Sequence, residues 1–150
     1  APAKPQPTGP DYLLVDGYNV IFAWDELRKM AETNLDAARR RLMDILCNYA
    51  GYKRCVPILV FDAYKVRGGT REVEKHHNLY VVYTQEAETA DMYIERTTHE
   101  LAKDHRTRVV SSDGAEQIIV LGNGALRVSA RAFAEVVAAV EKEIREFLQN

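Results

Sequence analysis

The chain has 150 residues, of which 47% are hydrophobic and 28% are charged, and its formal net charge at pH 7 is −2. This length and composition are typical of one globular domain, and they argue against a transmembrane protein, because no apolar run approaches the roughly 18 residues that a membrane span needs. The small negative charge argues against a protein that attracts nucleic acid over its whole surface.

The first ten residues, APAKPQPTGP, include four prolines and carry neither a hydrophobic signal core nor an arginine-rich transit pattern. Such a composition is typical of a stiff linker. We therefore expect residues 1–10 to be a linker or leader, residues 11–150 to form the domain, and another domain to lie upstream in a longer polypeptide. Cys47 and Cys55 lack C-x-x-C spacing, which favours a reducing, cytoplasmic compartment.

Short apolar runs alternate with helical periodicity along the rest of the chain. The predicted strands are YLLVD (12–16), PILVFD (57–62), LYVVYT (79–84) and RVVSSD (108–113). Apolar residues at three- and four-residue intervals predict a helix from near Asp36 to near Gly51, a second capped by Thr89, and a third capped by Ser129. Residues 64–78 are predicted as a loop, and the segment AEQIIVLG as a short helix or turn before the extended piece ALRVS. This alternation predicts an α/β fold with a mainly parallel sheet.

Three of the four predicted strands end in an aspartate, namely Asp16, Asp62 and Asp113. The carboxyl ends of parallel strands lie along one edge of a sheet, where open α/β sheets bind their ligands. Asp91 lies in the first turn of the helix that follows the third strand, so it should reach the same edge. Each aspartate taken singly is equally typical of a turn or a helix cap. As a set, the four predict a functional site.

Clustered carboxylates need a compensating charge. Two of them about 5 Å apart repel by about 3 kcal/mol at an effective dielectric constant near 20, a large amount for a domain whose stability is about 5–15 kcal/mol. Either protonation or a hard divalent cation relieves this repulsion. Oxygen ligands favour Mg²⁺ or Mn²⁺ over zinc. We predict that Asp16, Asp91 and Asp113 bind the metal and that Asp62 lies in its first or second coordination shell.

Polar and basic residues flank these acids. The amide of Asn19 can orient a water molecule or a phosphate oxygen, or alternatively cap the first helix. Four cations of the 64–78 segment are predicted to bind RNA phosphates and draw them to the acidic crevice: Lys65, Arg67, Arg71 and Lys75. A solvated loop is the alternative for this segment. GNGALR (122–127) lacks the third glycine of a dinucleotide-binding fingerprint, so we predict no cofactor there.

Four blocks of the sequence resemble the YacP-like branch of the NYN domains, relatives of the PIN and FLAP nucleases: VDGYNVI, VFDAY, TQEAETAD and SSDGAEQIIVLGNGALRVSAR. The resemblance runs from about residue 12 to the final helix. It implies a PIN-like, Rossmannoid three-layer α/β/α fold and a metal-dependent endoribonuclease. The family's acids fall on Asp16, Asp62, Asp91 and Asp113, and its asparagine falls on Asn19.

The resemblance also implies a setting. Members of the family act on mRNA at the ribosome, in the bacterial cytoplasm or in plastids, and in some relatives the domain follows a translation-factor-like GTPase. The expected reaction is hydrolysis of RNA that leaves 5′-phosphate and 3′-hydroxyl ends. Two alternatives stay open: a non-catalytic RNA- or ribosome-binding module whose acids bind a structural metal, and a small phosphoesterase that uses the same sheet edge. The residues alone do not separate RNA from DNA, because no aromatic-basic RNA-reading motif is present.

Overall fold

A seven-stranded sheet runs through the residues that the computed structural model describes, which are 9–62, 72–111 and 119–149. Its strands are β1 (Asp11–Asp16), β2 (Cys55–Phe61), β3 (Glu72–His76), β4 (Leu79–Tyr83), β5 (Thr107–Val110), β6 (Ile119–Val120) and β7 (Leu126–Val128). They lie in the order β3-β4-β2-β1-β5-β7-β6. The five inner strands are parallel, and the two edge strands β3 and β6 pair antiparallel with their neighbours. The predicted, mainly parallel α/β fold is confirmed.

Helices cover both faces of this sheet. Within the described ranges they are α1 (Gly17–Ala23), α2 (Asp25–Thr33), α3 (Leu35–Lys53), α4 (Ala90–Leu101) and α5 (Ala130–Gln149). One core, which includes Leu13, Val15 and Phe61, packs the sheet against α1, α3 and α5, and a second core, which includes Leu14 and Val60, packs it against α4. Because successive strand residues point to opposite faces, the central residues of β1 and most of β2 are buried on both sides of the sheet, and these residues are apolar. The three-layer α/β/α arrangement predicted from the family resemblance is confirmed.

Two helix caps agree with the prediction from the sequence. The hydroxyl of Thr89 accepts a hydrogen bond from the main-chain N–H of Met92 at the start of α4, and Ser129 does the same with Ala132 at the start of α5. Both caps were predicted. The end of α3 was predicted near Gly51, but the helix continues to Lys53 and ends where Arg54 adopts a left-handed conformation with φ of 55°. None of the helices in the described ranges is both long and apolar enough to cross a membrane.

Two segments differ from the prediction. Residues 72–76, predicted as loop, form β3, which pairs with β4 from Glu72 opposite Tyr83 to His76 opposite Leu79. Its sequence EVEKH has no apolar face because every residue of this edge strand is exposed, and charged edge strands are common in natural sheets. Residues 119–120, predicted as helix or turn, form the short strand β6 against β7.

Trp24 links the first helices to α5. Its indole N–H donates a hydrogen bond to the carbonyl oxygen of Ala130 at 2.7 Å, and its ring stacks on Phe133 with the ring centroids 6.0 Å apart. Trp24→Phe keeps an aromatic ring and removes the donor, so we expect the free energy of unfolding to fall by about 1 kcal/mol. Urea denaturation followed by circular dichroism measures this change. An unchanged midpoint and slope would show that the hydrogen bond contributes nothing to stability.

Candidate active site

Two of the predicted acids lie at the carboxyl edge of neighbouring strands. Asp16 is the last residue of β1 and pairs with Val60 of β2, and Asp62 directly follows β2. Strand alternation places both acids on the sheet face that carries α4, because Leu14 and Val60, two residues before them in the sequence, belong to the core on that face. Both side chains are half-buried. Asp16 and Asp62 therefore lie at the same edge and on the same face of the sheet, and their roles as site residues stay a prediction.

The start of α4 is tied to the same edge. Asp62 Oδ1 accepts a hydrogen bond from the main-chain N–H of Ala90 at 2.5 Å, so a carboxylate 28 positions away in sequence caps this helix. Asp91 is the next residue and is exposed. The positive end of the α4 dipole favours carboxylates at this position by about 0.3–1 kcal/mol each. The structure thus brings Asp16, Asp62 and the helix turn that carries Asp91 to one end of the sheet.

Asp16 also begins a helix. Its Oδ1 accepts a hydrogen bond from the main-chain N–H of Asn19 at 3.3 Å, and Asp16 is the N-cap residue of α1. The alternative in which Asn19 caps this helix is therefore wrong, because Asn19 lies inside the helix as the donor. Its proposed role in orienting a water molecule or phosphate stays a prediction. Because an ionised carboxylate has about four acceptor sites, a cap bond does not exclude metal binding by Asp16 or Asp62.

The donor chemistry at this edge suits a hard divalent cation. Asp16, Asp62 and Asp91 offer carboxylate oxygens, the ligands that Mg²⁺ and Mn²⁺ prefer. Among the described residues no group of three or more His, Cys, Asp or Glu side chains is close enough to bind one ion. Asp113, the third predicted metal ligand, lies outside the described residues. The residues present fit the proposed metal, and the full ligand set stays a prediction.

An aromatic cluster supports the turn that carries Asp16. Gly17 packs directly on the buried ring of Phe61, where a Cβ atom on residue 17 would lie 2.3 Å from a ring carbon. The Phe61 ring itself lies between those of Tyr18 and Tyr83, with centroid distances of 4.9 and 5.7 Å. The glycine and tyrosine of the D-G-Y-N block therefore have a structural role: they fix the chain between β1 and α1.

Arg39 of α3 joins this cluster. Its guanidinium donates hydrogen bonds to the Tyr18 hydroxyl at 3.1 Å and to Asp36 Oδ1 at 3.3 Å. Burial lowers the pKa of Arg39, but these two hydrogen bonds outweigh that effect and the pKa lies above its ordinary value. Burial raises the pKa of Tyr83, and the nearby carboxylate of Glu74 adds to the increase. At neutral pH Arg39 is therefore charged, and Tyr83 keeps its proton.

The predicted RNA-binding cations lie mostly beyond the described ranges. Lys65, Arg67 and Arg71 fall outside the described residues. Lys75 lies on β3 opposite Tyr80, with its ammonium 5.4 Å from the centroid of that ring. Tyr80 lies near the start of β4, whereas Asp16 and Asp62 lie at the carboxyl ends of β1 and β2. Lys75 is therefore not at the acidic edge of the sheet. RNA binding by all four stays a prediction.

A cavity of about 350 Å³ opens beside Asp91, between α4 on one side and β5 and β7 on the other. We call it the α4–β7 cavity; its polar lining consists of Asp91, Glu95, Thr98, Ser111, Asn123 and Arg127. Arg127 is not among the residues predicted from the sequence, because GNGALR matches no cofactor fingerprint. The alternation of apolar and polar residues in ALRVS does indicate its orientation, because it places Arg127 on the sheet face opposite to that of Val128.

Comparisons with known proteins agree in sequence and in fold. Residues 13–150 match the family model of the YacP-like NYN domain. The uncharacterized protein YacP of Bacillus subtilis (strain 168) is 38% identical over 135 residues, which cover 89% of this chain and 79% of that protein. The crystal structure of Rae1 (YacP) from Bacillus subtilis has a TM-score of 0.76 at 36% identity and covers 93% of this chain and 80% of its own. A tryptophan-to-leucine mutant of that protein has a TM-score of 0.75, also at 36% identity, and covers 91% and 79%.

Proposed function

Since the chain belongs to the YacP-like NYN domain family, a family of PIN-like nuclease domains, we propose that it is an Mg²⁺- or Mn²⁺-dependent endoribonuclease. One observation carries the proposal: Asp62, at the end of β2, holds the N-terminus of α4 beside Asp16 and thereby brings Asp91 to the same edge. This shared position supports a functional site at the sheet edge where open α/β sheets bind ligands.

Each of these side chains has a distinct role in the proposed reaction. Asp16, Asp91 and Asp113 would hold the metal, and Asp62 would position the start of α4 or join the ligands. When bound, the ion neutralises the carboxylates, polarises phosphate oxygens and lowers the pKa of a water molecule. Asn19 would orient the water or a phosphate oxygen, and Lys65, Arg67, Arg71 and Lys75 would attract the RNA backbone. In-line hydrolysis of this kind leaves 5′-phosphate and 3′-hydroxyl ends.

The cellular setting is part of the same proposal. The family resemblance supports action on mRNA in connection with the ribosome, in the cytoplasm, and an upstream translation-factor-like domain in a longer polypeptide. The carboxylate-rich edge alone also suits a small phosphoesterase, and an inert metal site suits an RNA- or ribosome-binding module. These alternatives differ in what the purified chain does to RNA.

We expect the purified chain to cut a labelled RNA when Mn²⁺ or Mg²⁺ is present and to stop when EDTA is added, because the carboxylates need the cation to approach a phosphodiester. A DNA of the same base sequence should stay intact under the same conditions. Gel electrophoresis with end-labelled substrates measures both and identifies the 5′-phosphate ends. A band shift without cleavage would support the binding module instead, and turnover of a small phosphoester alone would support the phosphoesterase.

A further inference from the structure

The α4–β7 cavity has the shape and lining of a ligand site. Its apolar walls come from Ile94, Val109 and Leu121, and its volume of about 350 Å³ lies within the usual range of ligand pockets, roughly 300–1,000 Å³. A second cavity of about 610 Å³ adjoins it and shares Glu95, Gly122 and Asn123 with it. A pocket that combines apolar walls with several polar groups, open beside the acidic edge, is suited to a flat aromatic ring joined to a polar chain.

Thr98 lies in the wall of this cavity, and its hydroxyl is available to form a hydrogen bond. The residue is 1% exposed, and in the described part of the chain its Oγ1 has no hydrogen-bond partner. A buried hydroxyl without a hydrogen-bond partner is unfavourable, because it has lost its hydrogen bonds to water. A bound molecule with a polar edge would supply the partner that the protein itself does not.

The remaining polar groups have complementary hydrogen-bonding roles. Asn123 Oδ1 accepts from the main-chain N–H of Ala125 at 3.0 Å, so the amide NH₂ is the part of this side chain left to donate. The carboxylate of Glu95 offers hydrogen-bond acceptors. Arg127 forms no ion pair in the described ranges, and a guanidinium is well suited to a phosphate. The cavity therefore offers a hydrogen-bond donor at Asn123, acceptors at Glu95 and a positive charge at Arg127.

We propose that the α4–β7 cavity is a nucleotide subsite that binds one keto base, uracil or guanine, of the RNA next to the phosphodiester that is cut. This inference rests on the proposed function and deepens it. The edge of a keto base has a carbonyl oxygen beside a ring N–H, which pair with Asn123 and Glu95 respectively. Cytosine and adenine have an amino group beside an unprotonated ring nitrogen and so reverse this pattern. Arg127 binds the phosphate of the same nucleotide.

The first test uses the 150-residue chain with Asp16→Asn, which is expected not to cut RNA and changes no residue of the cavity lining. Uridine 5′-monophosphate is titrated against the methyl NMR signals of Ile94, Val109 and Leu121, and cytidine 5′-monophosphate serves as the matched probe. The two probes differ only in the keto or amino group and its ring nitrogen. We expect the uridine nucleotide to shift these signals and to bind at least about tenfold more tightly, the usual value of one well-matched pair of hydrogen bonds. Equal affinities, or shifts confined to other parts of the chain, would overturn the proposal.

Variants then separate binding from folding. Glu95→Gln is expected to abolish the preference for uridine over cytidine, and Arg127→Gln to weaken both nucleotides by about tenfold. Arg145→Gln, an exposed arginine on α5, is the matched control and should change neither. Thr98→Val should weaken the uridine nucleotide without lowering the melting temperature, because it removes a hydroxyl that has no partner. A loss of stability in Thr98→Val with unchanged binding would assign that residue a purely structural role and would count against the subsite.

Cleavage assays distinguish this inference from the proposed function. In the chain with Asp16 intact, Arg127→Gln should raise the KM for RNA by about tenfold with little change in kcat, the pattern expected when ground-state and transition-state binding are lost equally. If the chain never cuts RNA but still binds the uridine nucleotide in this cavity, the nuclease proposal fails and the subsite stands. If the chain cuts RNA and neither Glu95→Gln nor Arg127→Gln changes KM or base preference, the subsite fails and the nuclease stands.

Discussion

Asp91→Asn is expected to reduce metal-dependent RNA cleavage by about a thousandfold or more, because the loss of one metal ligand removes several kcal/mol of transition-state stabilisation. The side chain is exposed in the first turn of α4, and Asn has nearly the same shape. Its charge is favourable to the helix dipole by about 0.3–1 kcal/mol, whereas its removal relieves repulsion from the neighbouring acids. Stability should therefore stay the same or rise slightly.

The measurement is kcat/KM on a labelled RNA with Mn²⁺, together with the melting temperature. Asp16→Asn should behave in the same way, although Asn in place of Asp16 keeps an oxygen that can cap α1. The matched control is Asp104→Asn, an exposed aspartate just beyond the other end of α4, which should cut RNA normally. If Asp16→Asn and Asp91→Asn both cut RNA as fast as the unchanged chain, neither residue is part of the active site.

The sequence predicted the inner part of the fold well because burial leaves a periodic signal. The centre of β1 and most of β2 are buried on both faces and form continuous apolar runs, and the long helices α4 and α5 have recognisable caps at Thr89 and Ser129. The edge strand β3 lacks this signal, since none of its residues is buried. No bounds were predicted for the short helices α1 and α2, because helices of seven and nine residues have too few turns to show a clear period.

The sequence predicted the positions of those acids that lie at the ends of strands. Parallel topology alone places Asp16 and Asp62 at one edge. The hydrogen bond from Ala90 to Asp62, by contrast, depends on how α4 docks on the sheet, and no local pattern encodes a contact across 28 positions. Arg127 was not predicted for a related reason: the alternation in ALRVS indicates which face of β7 it occupies, but only the fold shows that α4 lies across the cavity from it.

Gly17→Ala is expected to lower both stability and cleavage, and the reason lies in the contact that follows Asp16. A Cβ atom at this position would lie 2.3 and 2.6 Å from two carbons of the Phe61 ring. Phe61 is fully buried and packed between Tyr18 and Tyr83, so the ring cannot move aside and the main chain at residues 16–17 must shift. Overpacking of this kind costs about 1–3 kcal/mol, which corresponds to a fall in melting temperature of about 2–12 °C for a chain of this size.

Cleavage at a temperature where the variant is still folded should fall about tenfold or more, because small displacements of a catalytic group are costly and Asp16 is bonded directly to the shifted residue. Gly51→Ala is the matched control: among the described residues its Cβ would meet only Asn78 Nδ2, at 3.8 Å, and alanine inside a helix is favoured over glycine by about 0.5–1 kcal/mol. That variant should melt at a higher temperature and cut RNA normally. If Gly17→Ala melts and cuts RNA like the unchanged chain, the packing of residue 17 on Phe61 does not set the position of Asp16.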